Sequence, residues 1–446
     1  MMTGAITENQ VVKLWQEFLP GQTDLTTEEG GKVRIVYPGR PNDDRGADWR
    51  DAVIDDGGRI RRGDIEIHVN SSSWWGHRHH QDPLYNRVVL HVVYRHDAPG
   101  AAVLQNGGKV PTLALEKHIH RDPRLSSRSV PCGTGVSGRD TAFIGGILDN
   151  AGDRRFAGRV ADFRAASRRM GAGQSLYQGI MGALGYTKNK IPMIELARRM
   201  PLDRLTASLS REEPDDYLAR CQGWLMGMAG LLPSPRAGCR WHDNGNNGWV
   251  DRLERAWESY GEKAAMSSGD WSYFKMRPGN FPRRRIAAIS YLLLRYRKEG
   301  LLAGVIHRLE EASPDDRGSG LEGSMQVAAE GFWGSNLDLD TPRGRNIPAL
   351  LGVNRARVIV VNVLLPFAVA WSQFDDRPAP EEKALEIHRR YPALPENTLE
   401  RHMRRQLGIG RLSVNSARRQ QGLIHIYRTR CSQGKCEGCP LNLYRY

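Results

Sequence analysis

The residues best suited to chemistry crowd into the first hundred positions. In GDIEIHV (63–69) polar and apolar residues alternate. That alternation predicts a strand with Asp64, Glu66 and His68 on one face and Ile65, Ile67 and Val69 on the other. Two carboxylates and an imidazole side by side are costly unless a cation or a proton separates them. Upstream, in GADWRDAVI, Asp48 stands just before another predicted strand, from where it can reach the same pocket. Carboxylates converging on a divalent ion such as Mg²⁺ or Mn²⁺ polarise a phosphodiester and activate water. The catalytic candidates are therefore Asp48, Glu66 and His68. The bland alternative is an ordinary solvated strand face.

Downstream, SSSWWGHRHHQDPLYNRVVLHVVYRHD (71–97) holds His77, His79, His80, Asp82, His91 and His96. Neutral imidazole is a natural ligand or base. His91 sits inside an apolar strand pattern and faces either the core or the pocket of Glu66. We expect His68, His79 and His91 to be the ligating histidines, and Asp82, before Pro83, to start a turn.

A second cluster closes the chain. CSQGKCEGCP carries Cys431, Cys436 and Cys439, three thiols within nine residues. Such crowding suits zinc or an iron–sulfur cluster rather than a disulfide scaffold. A fourth ligand has to come from Cys132, Cys221, Cys239, His242 or His425.

Helix, strand, Asp-bearing strand and then a Glu-x-basic strand resembles the PD-(D/E)XK nucleases. The resemblance implies a restriction-endonuclease-like sheet with Asp48 as the first acid and Glu66 as the second. His68 stands where that family has lysine, and Ala47 where it has proline. The KCEGCPL ending resembles the cluster loops of adenine-type DNA glycosylases and the carboxy-terminal cysteines of RecB-like iron–sulfur nucleases. Over nearly its whole length the chain is also similar to a bacterial family designated domain of unknown function 2851. The quoted histidine and cysteine segments carry this likeness, with SLYQGIMGALGYTKNKIPMIELARRMPL (175–202) and YFKMRPGNFPRRRIAAISYLL (273–293).

The elements that must position these groups follow from periodicity. Glu8 to Leu19 has helical spacing. Strands are expected at Val33–Tyr37, Asp51–Ile54, Asp64–Val69, Val88–Tyr94 and Thr112–Leu115, with Asp55-Asp56-Gly57-Gly58 breaking the second from the third. Beyond about Arg154 the pattern turns to long helices. The expectation is an α+β protein: a nuclease-like mixed-sheet domain at 1–150, then a mostly helical domain at 151–446 ending in the cysteine motif.

Lys and Arg number 64 against 50 acids, a net charge of +14. Arginine runs such as Arg283-Arg284-Arg285 match phosphate geometry. Arg277, Arg283, Arg284, Arg285, Lys188 and Lys190 are the expected contacts to nucleic acid, DNA rather than RNA. The alternative is a solvated basic surface. Val358 to Trp371, the longest apolar stretch, is interrupted by Asn362 and Pro366, so no membrane span is expected. Without a signal-peptide layout, the cytoplasm is the expected compartment. Three functions fit these residues: a metal-dependent nuclease, a catalytically silent nucleic-acid-binding scaffold, or a zinc hydrolase of small molecules.

Overall fold

The computed structural model describes residues 6–18, 25–119, 132, 136, 139–209, 212–233, 247–264, 266–313, 317–341, 344 and 346–442. The chain divides into two compact units. Unit 1 comprises 1–152, 396–415 and 419–446; unit 2 comprises 153–395 and 416–418. A division simply at residue 150 therefore differs in one respect, because most of the last fifty residues return to the first unit.

Unit 1 is built on one mixed sheet. Its strands are β1 (Leu25–Thr26), β2 (Lys32–Tyr37), β3 (Arg40–Pro41), β4 (Trp49–Asp56), β5 (Arg59–Asn70) and β6 (Val88–Arg95). A separate two-stranded ribbon, β7 (Ala102–Val103) with β8 (Lys109–Val110), precedes the last strand of the main sheet, β9 (Thr112–Ala114). The order is β1-β2-β4-β5-β6-β9, with β3 paired to β4. The pairs from β1 to β5 are antiparallel, whereas β5–β6 and β6–β9 are parallel. The β4–β5 hairpin turns on Gly57 and Gly58, both at positive φ (62° and 95°), the backbone a two-residue hairpin turn requires. A parallel partner for β5 demands a crossover, and residues 71–87 supply it.

β5 is buried on both faces from Gly63 to His68. Ile65 and Ile67 pack with Val11 and Trp15 of α1 (Glu8–Phe18), Trp49, Leu90 and Val92. The opposite face carries Asp64, Glu66 and His68. A further apolar cluster joins Tyr37 and Val53 to Leu148, Met403, Leu407, Leu423 and Tyr427. Gly63 is required where the crossover enters β6: a Cβ there would lie 2.1 Å from the Arg87 carbonyl oxygen.

Unit 2 is helical, with one continuous core from Phe156 to Ala417. Its most apolar element runs from Val353 to Asp375 as an α-helix with a π-helical turn at Val360–Leu364, around the Asn362 noted in the sequence. Contrary to expectation, this helix is long and apolar enough to cross a membrane by length and composition. Two-thirds of its most apolar window (67%) is buried inside the protein, as in the core helix of a folded domain.

Candidate metal centre

The centre is assembled by β5, the end of the loop into β4, and the crossover. β5 presents Glu66 and His68, 4% and 1% exposed, so the solvated-face alternative does not hold. Asp48 is tied to β5 twice: its backbone N–H donates to Glu66 Oε2 at 3.0 Å, and its Oδ2 accepts from the Ile67 N–H at 3.2 Å. The crossover begins with one helical turn, α2 (Ser73–Gly76), whose C-cap is His77. Arg78 follows in the left-handed region (φ 61°), and His79 opens a 3-10 turn. A non-glycine residue in that region costs of order 1 kcal/mol and persists where the surroundings enforce it. The reversal brings His77 and His79, two apart in sequence, over the same point.

That point is Nε2 of His68. Nδ1 of His77 lies 3.1 Å from it, Nε2 of His79 3.3 Å and Oε1 of Glu66 3.4 Å. Glu66 Oε1 is also 3.2 Å from His79 Nε2. The ligand atoms of His68, His77 and His79 all lie within 4.8 Å of one another. One ring nitrogen offers a single hydrogen or a single lone pair, so it cannot satisfy three polar neighbours. A cation among them can. Donors 2.0–2.1 Å from a tetrahedral ion stand about 3.3 Å apart, close to the separations of His68 Nε2 from the other three atoms and of Glu66 Oε1 from His79 Nε2.

Electrostatics agree with the geometry. Burial drives the His68 imidazole down to about 2 and His91 to about 3, so both are neutral, as ligation requires. Burial pushes Glu66 up to about 8; burial and then the Glu66 charge push Asp48 up to about 7. Two buried carboxyls side by side behave this way.

The walls are aromatic. The ring of Tyr85 stacks on His79 with centroids 3.8 Å apart. Trp74, fully buried, packs on His79 and His91 and donates its indole N–H to the Val103 carbonyl at 2.9 Å. Asp82 starts the Pro83–Tyr85 turn, accepting from the Leu84 N–H.

Two placements revise the expected ligand set. His91 Nε2 meets the far nitrogen of His68, Nδ1, at 2.9 Å. It therefore orients His68 from behind rather than joining the donor set. His77, exposed and passed over in favour of His91, takes the place. Glu8 at the start of α1 is a second omission: its charge acts on Asp48, Glu66 and His79. Helix periodicity marks the buried face of α1 and is silent about an exposed acid at its first turn. The His-x-His spacing at 77–79 was the available signal for His77.

The expected nucleic-acid contacts fare differently. Arg283, Arg284 and Arg285 are buried, with 2%, 0% and 4% exposure. Arg283 donates to the Leu231 carbonyl and to Asp338 and Asp340. Arg284 donates to the carbonyls of Asn336 and Pro348, and Arg285 to those of Leu350 and Gly279 and to the Asn280 side chain. These guanidinium groups tie loops together inside unit 2 and do not face a phosphate. Lys188 is half-buried and donates to the Phe274 carbonyl; Arg277 and Lys190 are exposed. Other arginine runs are engaged as well: Arg418 with Asp153, Arg419 with Asp149 and Arg404 with Glu396.

In the tail, Cys431 is buried and Cys436 and Cys439 are half-buried, all in unit 1. Cys221 lies in the core of unit 2. Cys239 and His242 fall outside the described residues.

The protein family described as "Protein of unknown function (DUF2851)" matches residues 8–397. The chain belongs to this family. No curated protein and no solved structure matches it. The span matched in this DUF2851 protein takes in the whole of the histidine–carboxylate centre and ends before the cysteine tail.

Proposed function

We propose that the protein is a metal-dependent hydrolase of nucleic-acid phosphodiesters whose ion is held by His68, His77, His79 and Glu66. The observation that carries this reading is the meeting of three donors on His68 Nε2. Three imidazoles with one carboxylate suit Zn²⁺ or Mn²⁺ better than Mg²⁺, which prefers oxygen donors and water. When bound, such an ion supplies a Lewis acid for a phosphoryl oxygen and lowers the pKa of water.

The chain's own residues do the rest. Asp48, whose carboxyl is coupled electrostatically to Glu66 and His79, serves as proton acceptor. Tyr85 and Trp74 exclude water from the inner side and fix the imidazoles. His91 holds the ring of His68 so that its Nε2 points into the centre. The nuclease-like arrangement is supported by Asp48 at the entry to β4, by Glu66 and His68 two apart on β5, and by the parallel β5–β6 pair reached through a crossover. DNA is the first substrate to test.

The depth of the donors favours a second reading, hydrolysis of a small phosphoester or similar compound, because only His77 among the four is exposed. One set of assays separates the two. The protein is incubated with Mn²⁺ or Zn²⁺ and single-stranded DNA, duplex DNA, RNA or a small aryl phosphodiester, beside Glu66→Gln and His68→Lys. We expect cleavage of nucleic acid by the wild type and none by Glu66→Gln. His68→Lys, which restores the residue usual in PD-(D/E)XK nucleases, is expected to lose activity here because His68 is a ligand. Cleavage of the small diester alone selects the second reading. Salt-sensitive binding without cleavage under any metal selects a silent scaffold and overturns both.

A further inference from the structure

The cysteine tail has a partner nearly three hundred residues away. Gln406, on the helix Thr398–Leu407, donates its side-chain N–H₂ to the sulfur of Cys132 at 3.4 Å and to the sulfur of Cys431 at 3.7 Å. On its other side the amide oxygen accepts from the Tyr37 hydroxyl at 3.1 Å. Cys132 and Cys431 are both buried and share one apolar cluster, against which Cys439 also packs. Cys436 and Cys439 are joined by a tight turn: the Cys439 N–H donates to the Cys436 carbonyl at 3.1 Å, and the Asn442 side chain closes on the same carbonyl at 3.0 Å. Gly434 sets the whole tail against the sheet. It has φ +65°, and a Cβ there would lie 2.9 Å from Val53 of β4.

We propose that Cys132, Cys431, Cys436 and Cys439 form one four-thiolate metal site, with Gln406 as the hydrogen-bond donor to two of the sulfurs. Each of the four thiols lies within electrostatic reach of the other three. Each is also shifted upward, chiefly by burial, Cys132 to about 11. Two buried and two half-buried thiols that would repel one another as anions are the setting in which a soft cation deprotonates all of them on binding and releases the protons to solvent. An N–H aimed at ligating sulfur is the outer support such sites use. Among the described residues only the histidine group has all its ligand atoms within 4.8 Å of one another, so zinc would draw these sulfurs closer, whereas a four-iron cluster takes four thiolates held farther apart. The site is separate from the histidine–carboxylate centre and does not depend on it.

The test uses the full-length protein, purified without chelator under anaerobic conditions. Zinc, iron and acid-labile sulfide are measured on the wild type and on Cys132→Ser. In parallel, all six cysteines are alkylated before and after metal stripping, and modification is read peptide by peptide. We expect either zinc or iron with sulfide at the cysteines of the wild type, and loss of that share in Cys132→Ser, which keeps at most the one metal equivalent of the histidine–carboxylate centre. Cys132, Cys431, Cys436 and Cys439 should be shielded together and become reactive together on stripping. If Cys132→Ser fails to fold, the wild-type footprint alone decides. Cys132 reacting at one rate with and without metal overturns the proposal, as does full metal retention in Cys132→Ser. Release of the tail metal by Cys239→Ser while Cys132 stays reactive overturns it too, since another residue would then be the fourth ligand.

Discussion

Replacing Arg284 by methionine separates an internal brace from a phosphate contact. The guanidinium is fully buried, stands over the Trp333 ring with 5.8 Å to its centroid, and donates at 2.8 Å to the Asn336 carbonyl and at 2.5 Å to the Pro348 carbonyl. Methionine keeps most of the length and removes both donors. Two charged hydrogen bonds contribute roughly 3–6 kcal/mol together. Against this, burial and then the neighbouring Arg285 lower the Arg284 pKa to about 10, so removing the charge recovers ~3 kcal/mol. The net loss should be up to about 3 kcal/mol. In a helical unit of this size that lowers the melting temperature by up to roughly 12 °C. Arg284→Ala should lose more, because it also leaves a void beside Trp333. Calorimetry or denaturant titration reads these values, and nucleic-acid affinity is followed over a salt series on the same samples. An Arg284→Met protein that melts like the wild type, yet binds nucleic acid more weakly with a shallower salt slope, would refute the bracing role and restore the arginine to the binding surface.

Further expectations concern the support of the two units. Replacing His91 by Phe keeps the packing on Trp74 but removes the group that orients His68 Nδ1; metal affinity should fall about 10–100-fold with little change in fold, as measured by competition with a chromogenic chelator. In unit 2, His388 is buried and stacks on Phe156 with centroids 4.1 Å apart; Asp153, Arg389 and Arg418 face it. Burial lowers its pKa from 6.5 to about 4, so the unfolded chain takes up that proton first as the pH falls. Stability of unit 2 should therefore decline between about pH 6.5 and 4, by up to ~3 kcal/mol, and His388→Phe should flatten that decline in denaturant midpoints compared across the window. Gly63→Ala should disrupt the β5–β6 junction, because the Arg87 carbonyl and the Val89 side chain both stand in the way; an unchanged melting curve would show that the crossover can shift.

Much of unit 1 was legible because its signals are local. Period-two alternation located β5 and assigned Glu66 and His68 to one face, and the paired glycines marked the hairpin. Periodicity also placed His91 on a strand beside β5, but a face is not a direction. Which ring nitrogen His91 would meet depends on the register Glu66↔His91 across a parallel pair. His77 was obscured for the opposite reason: it lies in a crossover whose path is set by a left-handed Arg78, and no period extends through such a turn. The arginine run at 283–285 misled because composition counts charges without showing their partners. The carbonyls that accept from it lie up to 65 positions away along the chain. Cys132 and the return of the tail to unit 1 are contacts over hundreds of residues, which spacing alone does not encode.

The central claim is that an ion sits between His68, His77, His79 and Glu66. Crystals of the protein soaked in Zn²⁺ or Mn²⁺, with diffraction recorded above and below the metal absorption edge, test it most directly. The account predicts an anomalous peak about 2.0–2.2 Å from His68 Nε2, His77 Nδ1 and His79 Nε2, with Glu66 Oε1 as the fourth neighbour. Density with no peak there, and the same imidazoles joined only by hydrogen bonds or bridging water, would contradict it.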